Sequence, residues 1–360
     1  MSEVYPTLTA LFTDIADAIR ETTGDTDLIV ADDFPDVIRD SLQVKSYLTF
    51  KSPSSFTLKV NDTIKHWNGT LEYSTNASTW TTWDGTTTLS SATKGSNNIL
   101  YLRGTGNTVI TGNRNNYKWI LTGSNIKCIG NIENLLDYAT VEAGNHPTMA
   151  SYCYSLMFLG CTALTQAPEL PATTLAESCY SFMFDGCTAL TQAPALPATT
   201  LANSCYFYMF SECTSLTKAP ALPATTLASE CYSNMFSGCT SLTKAPALPA
   251  TTLADYCYYY MFFYCTSLTK APALPATTLA DSCYYSMFNG CTGLKLSTTK
   301  TGEYTVAYRI PSSETGTTAT DALTDMFAYT GGTFTGTPSI NTTYYLSNTN
   351  TVVGVPISEI

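Results

Sequence analysis

Cysteines fall at 153, 179, 205, 231, 257 and 283, and a second series falls at 161, 187, 213, 239, 265 and 291. Both series step by 26 residues. A unit this short cannot bury its own apolar face, so the copies must stack on one another to make a core. The unit reads C-Y-x-x-M-F-x-x-C-T-x-L-T-(Q/K)-A-P-x-L-P-A-T-T-L-A and occurs six times, the sixth copy diverging after Cys291. A degraded seventh copy lies near 322–331, where Ala322 and Thr330 replace the cysteines while Met326 and Phe327 remain. Atypical terminal copies are what a stack needs to close its open end.

Within a unit, the C-Y-x-x-M-F-x-x-C stretch reads as a short helix. At 100° per residue the constant Cys, Tyr, Met, Phe and Cys share one sector of roughly 140°. The positions that differ between copies fill the complementary face. The constant face is expected to be core, and the varying face to meet solvent or a partner. Gly160, Gly186, Gly238 and Gly290, each just before a second Cys, suit a helix C-terminus. The segment that follows is extended, because its prolines forbid a helix interior and limit ladder pairing. Helices need more room per copy than strands, so the stack is expected to curve with its helices on the convex side.

Upstream, residues 1–44 form a separate helical segment. Leu8, Leu11, Phe12, Ile15 and Ile19 make one stripe, and DDFPDVIRDSL follows as a second short helix. This segment is expected to dock or oligomerise, since an isolated short helix is marginal in water. Residues 45–127 switch to period-two runs rich in Thr and aromatics, separated by turns such as NGT and DGT. They read as a small all-β sandwich. Residues 128–150 open the repeat region, which runs over 128–296. Residues 297–360 hold the degenerate copy and a β-rich cap.

Composition removes several classes of function. The charges give a net −11, and only 12% of residues are charged. An acidic surface repels phosphate backbones, so no nucleic-acid partner is expected. With two histidines, His66 and His146, a histidine base or a multi-histidine metal site has little raw material. No segment approaches the ~18 apolar residues of a membrane span. The opening residues lack the basic region of a signal peptide, which points to a chain made in a reducing cytoplasm with its thirteen cysteines free. A disulfide ladder and a metal site are the other readings of those cysteines. Spacing of eight residues along a helix disfavours the first, and the lack of tight Cys pairs disfavours the second.

The repeat resembles the BspA-like leucine-rich repeats, whose units carry an MF-x-G-C-x-x-L core, as in CYSNMFSGCTSLTKAPALP at 231–249. The opening TDIADAIRETTGDTDLIVADDFPDVIRDS is similar to an N-terminal segment of phage tail and tail-fibre proteins. The resemblance implies an α+β multi-domain chain: short N-terminal helices, a small all-β sandwich, and a leucine-rich-repeat-type α/β solenoid with a β-rich C-terminal cap. It further implies a non-enzymatic virion protein, a tail-fibre or receptor-binding component without cofactor. Its expected partners are a host-surface protein or glycan and, through residues 1–44, other virion proteins or two further copies in a trimer. A bacterial cell-surface adhesin is the alternative. An enzyme acting on surface glycans would need a paired set of acids, and the repeats supply no fixed pair.

The varying face holds the candidate site. Six varying positions in six copies contain ten aromatics, namely Tyr152, Phe182, Phe207, Tyr208, Tyr256, Tyr259, Tyr260, Phe263, Tyr264 and Tyr285. Ser, Asn, Asp, Glu and Gly fill most of the rest, and Lys, Arg and Gln are absent. Tyr with Ser, Gly and Asn is the palette of binding loops. The bland alternatives are stacking between neighbouring copies and drift on an exposed helix. The binding residues expected from this reading are Phe207, Tyr208, Tyr256, Tyr259, Tyr260, Phe263, Tyr264 and Tyr285, with no catalytic or metal-binding residue. Lys218, Lys244 and Lys270 recur at one unit position and are expected to form a solvated row.

Overall fold

The computed structural model describes residues 47–61, 65–112 and 117–354. The expected N-terminal helices at 1–44 lie outside these residues. The described elements in chain order are β1 (Leu48–Ser52), β2 (Thr57–Val60), β3 (Thr70–Ser74), β4 (Thr81–Thr82), β5 (Leu89–Ser90), β6 (Ala92–Lys94), β7 (Asn97–Thr105), β8 (Trp119–Thr122) and β9 (Ile126–Ile129). Next come α1 (Asn134–Glu142), β10 (Leu164–Gln166), β11 (Lys270–Pro272), β12 (Lys295–Ser297), β13 (Tyr304–Arg309), β14 (Gly331–Gly332), β15 (Thr343–Ser347) and β16 (Thr351–Val353).

Alternation of buried and less buried residues, as in Leu48–Ser52, gives the first strands one core face. They form a sheet in the order β10-β9-β1-β7-β3-β4, with β6 also on β7, and a second sheet in the order β5-β2-β8. Phe50 of β1 meets Trp119 of β8 at 6.4 Å between ring centroids, and Trp83 meets Trp119 at 5.6 Å. The first sheet continues into the repeats, because β10 of the first copy pairs in parallel with β9. The expected boundary at 127/128 therefore falls inside β9.

The repeats carry no helix. Sequence reasoning put one in every copy, and the only α-helix among the described residues is α1, itself broken at Asp137. The C-Y-x-x-M-F-x-x-C stretch is instead a ribbon of overlapping turns. Within the first copy, the N–H groups of Ser155, Met157, Leu159 and Cys161 donate to the carbonyls three residues back. The alternate N–H groups of Tyr154, Leu156, Phe158 and Gly160 donate to Cys179, Ser181, Met183 and Asp185 of the next copy. Every fourth residue has a positive φ, as at Tyr152, Leu156 and Gly160. The ribbon thus turns in four residues and points two side chains in, then two out. The physical reason is the period. A strict period of four returns Cys, Met and Cys to one direction and Tyr and Phe to the next, whereas 3.6 residues per turn only smears them over a sector. The glycines expected at helix ends supply a positive φ in a turn.

This ribbon also removes the basis of the expected curvature, which rested on helices with wider spacing than strands. Phe158, Phe184, Phe210, Phe236, Phe262, Phe288 and Phe327 stack with centroids 5.5–5.8 Å apart. Tyr154, Tyr180, Tyr206, Tyr232, Tyr258 and Tyr284 form a parallel column at 5.6–5.9 Å. Such offset stacks add to the area they bury. The return segments supply the other wall of the core through Leu190, Leu196 and their equivalents. Between most copies the returns pair only at single bridges such as Gln192↔Lys218 and Thr226↔Thr252, since two prolines per return remove donors.

Both ends of the ladder are closed. At the start, Ile110 and Trp119 donate their N–H groups to Cys153 and Met157, and the Thr111 hydroxyl donates to Ser155 O at 2.6 Å. Trp119 also stacks edge-on against Phe158, so it occupies the Phe position of a copy zero. At the far end, residues 322–330 accept the ladder of the sixth copy through Ala322, Thr324, Met326 and Ala328. The outward N–H groups of Asp325 and Phe327 donate to Thr337 Oγ1 and Gly336 O. A sheet in the order β13-β15-β12-β14 covers this end, and β16 pairs with β11 where the sixth copy has lost its return.

Candidate functional site

The outward pairs of the ribbon carry the eight residues singled out from sequence. Their side chains form two clusters. In copies two and three, Phe182 stacks on Tyr208 at 4.9 Å, and Phe207 stands edge-on to both. In copies five and six, Tyr259 stacks on Tyr285 at 5.1 Å. Tyr256, Tyr260, Phe263 and Tyr264 join that pair through edge-to-face contacts at 4.5–5.5 Å. Copy four separates the clusters with Ser233 and Asn234, both buried. Burial raises the phenol pKa of Tyr208, with smaller contributions from Asp185 and Tyr260, and burial raises that of Tyr259, with smaller contributions from Tyr260, Tyr285, Tyr208 and Tyr256.

Exposure divides the eight. Tyr256 and Tyr264 are 42% and 51% exposed, and Phe207, Tyr208, Tyr259, Tyr260, Phe263 and Tyr285 are half-buried. Stacking between copies and presentation to solvent are thus both present, on different residues. Tyr329 of the seventh copy is 75% exposed. Sequence reasoning missed it because the degraded copy was read only for its core residues. Tyr256, Tyr264 and Tyr329 are the only large apolar side chains left exposed among the described residues.

The backbone under these rings is unusual. Tyr256, Tyr260, Tyr264 and Tyr329 have φ between 52° and 58°, as do Tyr208 at 54° and Phe182 at 55°. A bulky residue in this region is an outlier, and a left-handed L-residue costs roughly 1–2 kcal/mol. Glycine would be free of that strain, and at the position shared by Tyr264 and Tyr329 glycine stands in four copies, as Gly160, Gly186, Gly238 and Gly290. Space is allotted accordingly. A Cβ on Gly290 would come within 3.0 Å of the Tyr264 ring, and one on Gly238 would collide with the Glu212 carboxylate. Glu212 and Tyr264 at this position each lie over a glycine of the next copy.

Carboxylates border the rings. Asp185 is half-buried, and burial pushes its pKa up to about 6 despite a hydrogen bond from Ser211. Asp321 and Asp325 both bear on Tyr285. The Lys218, Lys244 and Lys270 row lies elsewhere, on the exposed return segments, where Lys244 bridges to Lys270.

The thirteen cysteines are free and buried. The second series has a defined role: Cys187, Cys213, Cys239, Cys265 and Cys291 donate S–H bonds of 2.9–3.1 Å to the Phe carbonyl of the preceding copy. Burial pushes the Cys161 thiol up to about 11 and those of Cys205 and Cys283 up to about 12. These groups are packing and ladder residues, with no thiolate available at neutral pH. No group of three or more His, Cys, Asp or Glu among the described residues is arranged to hold a metal. No helix among them is long and apolar enough to cross a membrane.

One polar cleft lies away from the aromatic face. Glu133, with its side chain 2% exposed, meets His146 Nδ1 at 2.7 Å. Pro147, Met149 and residues 172–176 complete a cleft of about 330 Å³. This pair is not legible in the sequence, since its members come from the two sides of α1. No protein-family model, curated protein or solved structure matches the chain.

Proposed function

We propose that this chain is a non-enzymatic attachment protein, a tail-fibre or receptor-binding component of a phage virion, which meets a host surface through the aromatic face of its repeats. Residues 1–44 anchor it to other virion proteins or to further copies of itself. The observation that carries the reading is the placement of Tyr256, Tyr264 and Tyr329. They are exposed, they sit at strained backbone positions that glycine would fill without cost, and they share one face. The four-residue phase demands a positive φ at these positions, and a bulky ring kept there in place of a strain-free residue is a pointer to function. Exposed Tyr is also the residue type that dominates binding hot spots. The resemblance of the opening segment to phage tail and tail-fibre proteins gives the setting.

The test replaces Tyr256, Tyr264 and Tyr329 together with Gly. Relief of strain at three positions should leave the melting temperature unchanged or higher. Attachment to host cells should fall at least ~100-fold, or ~2.7 kcal/mol. A variant that melts early would make these rings stacking residues of the fold. One that melts normally and attaches normally would remove the aromatic face from attachment. Mass spectrometry of purified particles checks the setting, and absence of the chain from them would overturn it.

A further inference from the structure

We infer that the partner of the aromatic face is cationic: a protein segment bearing Arg or Lys side chains. This inference rests on the attachment reading and adds the chemistry of what is attached. The outward positions of the seven copies hold eight carboxylates, Glu177, Asp185, Glu212, Glu230, Asp255, Asp281, Asp321 and Asp325, and no Lys or Arg. Among the described residues none of the eight has a salt-bridge partner. Lys118 lies at the copy-one end, beside Gly160. Carboxylates are interleaved with the rings rather than set apart from them. Asp185 bears on Tyr208, and Asp321 and Asp325 on Tyr285. The Glu212 side chain lies over Gly238 of copy four, between the two aromatic clusters.

A ring face and a carboxylate side by side match a guanidinium or ammonium group, which stacks on the one and pairs with the other. An anionic polymer would be repelled by this field and by the net charge of −11. A neutral glycan would stack on the rings and donate hydroxyl hydrogen bonds to the carboxylates, but it would leave their charge uncompensated. Length points to a chain rather than a small amine. From Asp185 in copy two to Asp325 in copy seven is five ladder steps, roughly 24 Å at strand spacing. A single amine would occupy one step of it.

The probe is a synthetic peptide of alternating Arg and Gly, with a Glu–Gly peptide and a neutral oligosaccharide as comparisons, each titrated onto the full chain. The Arg–Gly peptide should bind saturably, and its affinity should fall at least tenfold between about 50 and 300 mM NaCl as screening grows. The variant Asp185→Asn, Glu212→Gln, Asp321→Asn, Asp325→Asn keeps the hydrogen-bonding shapes and should lose at least tenfold in peptide affinity and in host-cell attachment. Equal attachment by this variant and by the unaltered chain would overturn the cationic partner. So would binding of the oligosaccharide in place of the Arg–Gly peptide. Loss of attachment in the Tyr→Gly variant alongside either result would leave the attachment reading standing. Retained attachment in the Tyr→Gly variant would end that reading, whatever the carboxylates do.

Discussion

Tyr180 ends in a buried hydroxyl that finds no hydrogen-bond partner among the described residues. Its neighbour in the column, Tyr154, donates its hydroxyl to Ile132 O at 3.3 Å. The two differ because Ile132 stands beside the first copy only, where the chain enters the stack. Leaving a polar group buried and unpaired costs about 1–3 kcal/mol, while the ring itself keeps its stacking on Tyr154 and Tyr206. Tyr180→Phe should therefore raise stability by about 1 kcal/mol, seen as a higher urea midpoint with an unchanged slope. Tyr154→Phe should lower it by a similar amount, because Ile132 O loses its donor. Equal shifts for the two would mean that the Tyr180 hydroxyl is satisfied by water. The same attention to single positions explains the cysteines. At Cys187 and its equivalents the site needs a small, buried side chain with one weak donor aimed at a carbonyl, which a thiol supplies and alanine does not.

At the scale of the element, the repeat length and the division into constant and varying positions were legible in the sequence, because a 26-residue period survives any error about local conformation. The conformation itself was not. Cys, Tyr, Met, Phe and Cys at steps of one, three, one and three satisfy a helical face loosely and a four-residue turn without remainder. The discriminating signal was present in the glycines at 160, 186, 238 and 290: they recur where the four-residue phase demands a positive φ. Tyr at the same phase hid it, since bulky residues rarely accept that backbone. The candidate site was legible in part, as the aromatics are named by their variation, but the sorting into exposed and half-buried rings depends on neighbours one copy away. The ribbon makes a sharp prediction about length. Alternate N–H groups of one copy's ribbon bond 25 residues ahead, as Tyr154 does to Cys179 O. Deleting residues 231–256 removes one whole copy and returns every remaining group to an equivalent partner. That variant should fold and melt cooperatively. Deleting 231–254 leaves two extra residues, half of a four-residue turn, so the buried pairs at the joint would point outward, much as a register slip turns a strand inside out. It should melt far lower or not fold. Equal melting of the two variants, followed by circular dichroism, would contradict the four-residue phase.

Over the whole molecule, one core runs unbroken from Leu48 to Leu346, and its thiols and the phenols of its central column press the same way. Burial pushes the pKa of each of the thirteen thiols upward, and it does the same to the six tyrosines of the central column. An unfolded thiol titrates near 8.5 and an unfolded phenol near 10. Below pH 8 both states hold these protons, so the folded state loses nothing. Above about pH 9 the unfolded chain releases thiol protons that the folded chain keeps, and stability falls with each added pH unit. One thiol contributes about 1.4 kcal/mol per unit, so thirteen acting together approach 18 kcal/mol per unit. That slope would consume the 5–15 kcal/mol of a typical fold within about one unit. The chain should therefore unfold cooperatively between about pH 9 and 10, and refold when returned to pH 7 in the presence of reductant. At pH 7.5 a thiol reagent should modify few of the cysteines in the native chain and all thirteen after denaturation. Tyrosine absorbance and circular dichroism recorded along an alkaline titration decide the matter. Native ellipticity persisting to pH 11, with thiols ionising gradually, would mean that the paired columns admit water and that the repeats are held together by something other than a dry core.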